Sequence, residues 1–189
     1  MSSGIRETME ELLRAPAEVK NKLAGALEEI SQYGIANALK ENPDFLYRLL
    51  IQLRKADASR VLVQVSKAAD KFSDLLWQWI DTQSQQSQSM KSLLIKAQRD
   101  IHVNIEASDS PFQCHFMVKG GKITGGSGLL HFKDEDFRFM GPTETLMGLF
   151  IGDLPLGFSN LQLQTAGHSG WMSRVGPIMR EISKLLKGS

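Results

Sequence analysis

A chain of 189 residues, 42% of them hydrophobic, is long and apolar enough to bury one or two cores. Its 22 basic residues nearly balance its 21 acidic ones, and the signs are interspersed. That speaks against a nucleic-acid binder, which needs clustered cations, and against an acidic solvated tail. A lone cysteine, Cys114, rules out an internal disulfide framework.

The first residues, Met1 to Glu7, lack the apolar segment of a signal peptide. No run approaches the roughly 18 continuous apolar residues of a membrane span. A soluble, cytoplasmic protein is the expectation.

From Met1 to about Arg99 the apolar residues recur every three or four positions, which predicts helices. Val19, Leu23, Ala26, Leu27, Ile30 and Tyr33 form one stripe, with Pro16 suited to the first turn. The stripe falters at Gly34, and Asn42-Pro43-Asp44 is a break. A second stripe follows at Phe45, Leu46, Leu49, Leu50 and Leu53. A third helix, capped by Asp57 or Ser59, carries Val61, Val65, Ala68, Phe72, Leu75, Leu76, Trp79 and Ile80.

Trp77 and Trp79, two residues apart on a helix, point in different directions. One of them is expected to meet a partner, the other half of the chain or a lipid surface. The polar run Asp81–Ser89 is either a linker, the favoured reading, or the exposed end of a long helix, and a short helix from Met90 to Arg99 follows. These helices form either a packed bundle that extends the second half or a module for oligomerisation or membrane contact.

Near Ile101 the period changes to two. Ile101, Val103 and Ile105 alternate with His102, Asn104 and Glu106, which predicts a strand. Ser108-Asp109-Ser110-Pro111 is a turn, Phe112–Val118 a second strand, and Lys119-Gly120-Gly121-Lys122 a hairpin into a third at Ile123-Thr124. Gly125, Gly126 and Gly128 mark a bulge or a turn. Leu129–Phe132 leads to the turn Lys133–Asp136, and Phe137–Met140 is a further strand.

Gly141-Pro142-Thr143-Glu144 opens a helix, with Thr143 its expected cap; the helix runs Thr145–Ile151 and stops at Gly152-Asp153. A last strand, Leu161–Gln164, ends at Gly167, and a helix with Ile178, Ile182, Leu185 and Leu186 on one face closes the chain. The expected class is α+β: a helical region at residues 1–89, then an antiparallel-rich sheet covered by helices at residues 90–189.

The second half resembles the sterol carrier protein type-two family. The residues that carry the resemblance are Val118-Lys119-Gly120-Gly121-Lys122-Ile123, Asp134–Phe139, Pro142–Gly152 and Asn160–Gly167. It spans roughly Arg99 to Lys187 and leaves out the N-terminal helices. The resemblance implies a hydrophobic tunnel between sheet and helices that holds a fatty acyl chain, sterol, phospholipid or quinone tail. Apolar transfer of about 0.8 kcal/mol per CH₂ makes such binding favourable with no directed chemistry. The residues expected to line the tunnel are Phe116, Phe132, Phe137, Leu146, Leu149, Phe150, Phe158, Leu163, Met179 and Ile182.

No catalytic, cofactor or metal motif is found. His102, His115, His131 and His168 have no helical i, i+4 pairing for zinc. Cys114 and His115 are strand neighbours and face opposite ways. Gly167-His168-Ser169-Gly170 is not a nucleophile elbow, and the glycine runs lack phosphate-loop spacing.

Two classes of function stand. One is a carrier or presenter of an apolar ligand. The other is a non-catalytic accessory protein with a filled core, whose helical half mediates assembly as a homo-oligomer or with a protein partner. The last helix is either a lid for peripheral membrane contact or a packing element. Gly167 and Gly170 would hinge it, Trp171 and Met172 follow, and Arg174, Arg180, Lys184 and Lys187 face only Glu181.

Overall fold

The computed structural model describes residues 2–64, 66–97, 99–153 and 162–188. Its first half is helical: α1 (Ser2–Leu13), α2 (Pro16–Tyr33), α3 (Ile35–Glu41), α4 (Phe45–Lys55), α5 (Ala58–Gln64), α6 (Ser66–Ser84) and α7 (Gln88–Lys96). The apolar periodicity explains the packing. Val19, Leu23, Ala26, Leu27 and Ile30 of α2 are buried, and all five α4 positions of the second stripe are fully buried. Gly34, at φ 91°, ends α2 and starts α3, a conformation that glycine reaches at no steric cost.

The third helix is described on either side of Val65, which lies outside the described residues, as α5 and α6. One expectation changes here. The run Asp81–Ser89, expected as a linker, completes α6, turns at Gln85-Gln86 and caps α7. Thr82 and Ser84 donate their hydroxyls back to Gln78 O (2.8 Å) and Asp81 O (2.7 Å). Ser87 Oγ accepts from Met90 N at 3.2 Å, and Met90 and Leu94 anchor α7 in the core.

The second half contributes β1 (Ile101–Ala107), β2 (Gln113–Lys119), β3 (Lys122–Ser127), β4 (Phe137–Gly141), α8 (Thr143–Ile151), β5 (Gln164–Gly167) and α9 (Met172–Leu186). The sheet order is β3-β2-β1-β4-β5, with β1 and β4 parallel and the other pairs antiparallel. The class is α+β. Gly120 (φ 57°) and Gly121 (φ 75°) make the two-residue hairpin between β2 and β3.

Residues 129–131 form no strand, and a 3₁₀ turn follows at Phe132–Asp134. The last strand starts later than expected, at Gln164, with Leu163 before it and Leu161 outside the described residues. Gly141 accounts for the close entry of that segment, since a Cβ there would lie 2.5 Å from Gln162 O.

The two sheet faces differ. Val103, Ile105, Cys114, Phe116, Phe137 and Phe139 share the buried face that meets the helices. The opposite face carries His102, Asn104, Glu106, His115 and Arg138, and residues 128–136 are bonded across it. Asn104, fully buried, donates to Leu130 O (3.2 Å) and to Glu135, and accepts from Leu130 N (2.8 Å). Arg138 joins Glu135 and Glu106, each at 2.8 Å.

The helical half is packed onto the sheet. α6 runs along β3, where Asp74 Oδ1 accepts from Ser127 N at 2.8 Å. α4 packs on α8, and Arg54 reaches Asp153 at 2.9 Å. The division at residues 89 and 90 is therefore one of sequence pattern, across which a continuous apolar cluster extends.

Candidate apolar ligand site

α8 is the pivot of the expected site. Its first N–H, that of Thr143, donates to Asp109 Oδ1 at 2.8 Å, and the Thr143 hydroxyl donates to the same oxygen at 2.6 Å. The cap is thus a carboxylate from the β1–β2 turn, placed where the helix dipole favours negative charge, rather than Thr143 itself. Gly152, left-handed at φ 80°, ends the helix, and a Cβ there would meet Ser183 Oγ of α9 at 2.5 Å. Between these ends every residue from Leu146 to Ile151 is buried. A helix that is apolar on all sides is enclosed on all sides.

The structure brings Phe116 and Phe150 together through a residue the expected lining omitted. Trp77 of α6 lies with its ring 5.0 Å from Phe116 and 5.9 Å, edge on, from Phe150. A Cβ on Gly125 would sit 2.5 Å from the indole, so this glycine is the seat that lets Trp77 lie directly on the sheet. Trp79 points the other way, onto Phe45 at 5.9 Å. Trp77 meets the other half of the chain at Phe116 and Phe150.

Trp77 Nε1 is buried and makes no hydrogen bond of normal geometry. Beside it, burial pushes the Cys114 thiol up to about 12, against the opposing effect of the indole N–H. Cys114 is accordingly a neutral core residue rather than a nucleophile.

Leu146 and Leu149 of α8, and Met179 and Ile182 of α9, are buried where those two helices pack. Phe137 lies at the far end of the sheet, 5.0 Å from Phe139 in an edge contact. It pairs with Gly167 of β5, where a Cβ would lie 3.1 Å from the Phe137 ring. Leu163 is buried just before β5. The Phe132 side chain and Phe158 lie outside the described residues.

All four residues of β5 are exposed. Trp171 and Met172, at the start of α9, are partly exposed and packed against the core. Arg174 lies over the Trp171 ring at 5.2 Å.

Each histidine is engaged locally. His102 Nδ1 is 3.1 Å from Asp136, and His115 Nδ1 is 3.1 Å from Gly128 O. His131 and His168 accept from Lys133 N and Gly170 N. Among the described residues, no three histidine, cysteine or acidic side chains cluster to hold a metal ion, and no helix is long and apolar enough to cross a membrane.

No protein-family model matches the chain, and no curated protein matches it. Among solved structures, the apo form of sterol carrier protein 2 from Yarrowia lipolytica aligns with a TM-score of 0.39 at 18% identity, over 61% of this chain and 90% of that one. The stereoselective inverting sec-alkylsulfatase Pisa1 from Pseudomonas sp. aligns with a TM-score of 0.42 at 14% identity, over 93% of this chain and 29% of that one. At these TM-scores neither similarity bears on ligand or activity.

Proposed function

We propose that the chain is a non-catalytic protein that binds a lipid-like apolar ligand at the β4–β5 end of the sheet and carries or presents it. The ligand class is a fatty acyl, sterol, phospholipid or quinone tail. One observation carries this reading: the helix-side face of the sheet is unevenly covered. Over β2 and β3 it is filled by Trp77. At the other edge β5 is exposed along its whole length, beside the Phe137–Phe139 pair and followed by the half-buried Trp171 and Met172. Of the expected lining, Phe137 and Leu163 belong to that end. Phe116, Leu146, Leu149, Phe150, Met179 and Ile182 form the packed wall behind it. An acyl chain laid against such a surface gains about 0.8 kcal/mol for each CH₂ removed from water.

The second reading, a filled scaffold, has an observation of its own in the Trp77 wedge between Phe116 and Phe150. Neighbouring residues of β5 separate the two. Thr165 pairs with Phe139 and shares its face, whereas Ala166 pairs with Arg138 and faces the other way. Thr165→Trp should weaken binding of a fluorescent fatty acid at least about tenfold, the equivalent of roughly 1.4 kcal/mol. Ala166→Trp should leave it unchanged. Equal effects of the two variants, or no binding by the unaltered chain, would favour the scaffold.

A further inference from the structure

We propose that the end of the molecule formed by α7, the β2–β3 hairpin tip and the outer face of α9 docks on an anionic membrane surface. The charges there are concentrated against the average of the chain. Lys91, Lys96 and Arg99 are exposed on α7 and just beyond it, and Lys119 and Lys122 are exposed at the hairpin tip. Arg180 and Lys184 are exposed on α9. Among the described residues, Asp100 lies 3.9 Å from Lys119 and Glu181 lies 3.0 Å from Lys184, two acids against these seven cations. The whole chain carries a formal net charge of only +1, so its remainder is net negative. Such an asymmetry orients the molecule in the field of an anionic surface.

The three elements adjoin one another. A groove of about 320 Å³ between α7 and α9 is bordered by Ser92, Lys96, Pro177, Arg180 and Lys184. A second, of about 430 Å³, lies between α7 and the hairpin and is bordered by Ile95, Arg99 and Gly121. A Cβ on Gly121 would touch Ile95 at 3.4 Å. α7 is the ridge between the grooves. It buries Met90 and Leu94 and leaves Ile95 exposed at 73% among the lysines. An isolated exposed isoleucine needs no explanation. On the same short stretch as the exposed Lys91, Lys96 and Arg99, it gives α7 the composition of an interfacial helix, with an apolar tip for the acyl boundary and long basic side chains for the headgroups. The residues named here include no aromatic side chain on which a base could stack, which separates the patch from a single-strand nucleic-acid platform.

The inference uses none of the residues of the proposed ligand site, and its test does not depend on a bound ligand. The full chain is sedimented with phosphatidylcholine vesicles, with and without phosphatidylserine, at low and high salt. Preferential binding to the anionic vesicles, lost at high salt, is expected. Each contacting cation is worth about fivefold in partitioning. Lys91→Glu with Lys96→Glu should therefore lower binding more than about tenfold, and Ile95→Ser should lower it without altering charge. Lys20→Glu with Lys55→Glu, an equal charge change on exposed residues of α2 and α4, should lower it far less. All of these positions are exposed, and far-UV circular dichroism checks that each variant is folded. Indifference to phosphatidylserine, equal losses in the two double variants, or binding to a DNA duplex in preference to vesicles would each overturn the proposal.

Discussion

Trp77 joins the two halves of the molecule at the level of a single side chain. Its ring occupies the space that a Cβ at position 125 would enter, and the same Cβ would also lie 2.5 Å from His115 O. Gly125→Ala is therefore expected to destabilise the fold by about 1–3 kcal/mol, the usual range for overpacking. Trp77→Ala should cost about 3–5 kcal/mol through the cavity it leaves. Part of the Gly125→Ala penalty disappears when the indole is gone, so the double variant should lose less than the two single losses added together. Urea denaturation of the four proteins measures this, and strict additivity would show that residues 77 and 125 do not press on one another. Cys114 gives a second test. Its thiol stays protonated in the fold up to about 12, whereas the unfolded thiol ionises near about 8.5. The unfolded state thus binds fewer protons between those values, and this residue's contribution to stability falls as pH rises through that window. Below it, a thiol reagent should modify Cys114 only as fast as the protein opens; rapid modification of the native protein would contradict its burial.

Among the elements, the regular ones were legible in the sequence and the tertiary devices were not. Phe45, Leu46, Leu49, Leu50 and Leu53 read as a stripe because burial on one helix face imposes that spacing, and all five are fully buried. The alternation of Ile101, Val103 and Ile105 revealed β1 for the same reason. The α8 cap was misread because Asp109, its source, stands 34 residues away and local spacing cannot reveal it. For the run Asp81–Ser89 the favoured reading, a linker, gives way to the other, a helix end, because composition alone does not show hydroxyls bonding back to helix carbonyls, nor the anchoring of Met90 and Leu94. In the candidate site, the polarity pattern pointed to Phe116 and Phe150 as inward-facing. It could not show that a tryptophan from α6 comes between them, since that contact depends on how helix and sheet dock. Asp109→Ala tests the cap: a loss of about 0.5–2 kcal/mol is expected. No change in the urea midpoint would mean that solvent caps α8 equally well.

At the scale of the whole molecule, helices from the first half cover the sheet of the second. α6 lies along β3, and Arg54 ties α4 to the end of α8 through Asp153 at 2.9 Å. Unfolding is therefore expected to be cooperative. Near-ultraviolet circular dichroism, which follows the packed tryptophans, should coincide with the far-ultraviolet signal of the helices. Separated transitions would mean that the halves are energetically independent. The same docking fills one end of the sheet and leaves the four residues of β5 exposed, and the proposed ligand site rests on that asymmetry. Native mass spectrometry of the purified full chain is the most direct test of this site. The account predicts a population heavier by the mass of one apolar molecule, released by organic extraction and diminished in Thr165→Trp but retained in Ala166→Trp. A single species at the mass of the bare chain, unchanged after incubation with fatty acid, sterol, phospholipid and quinone, would contradict it.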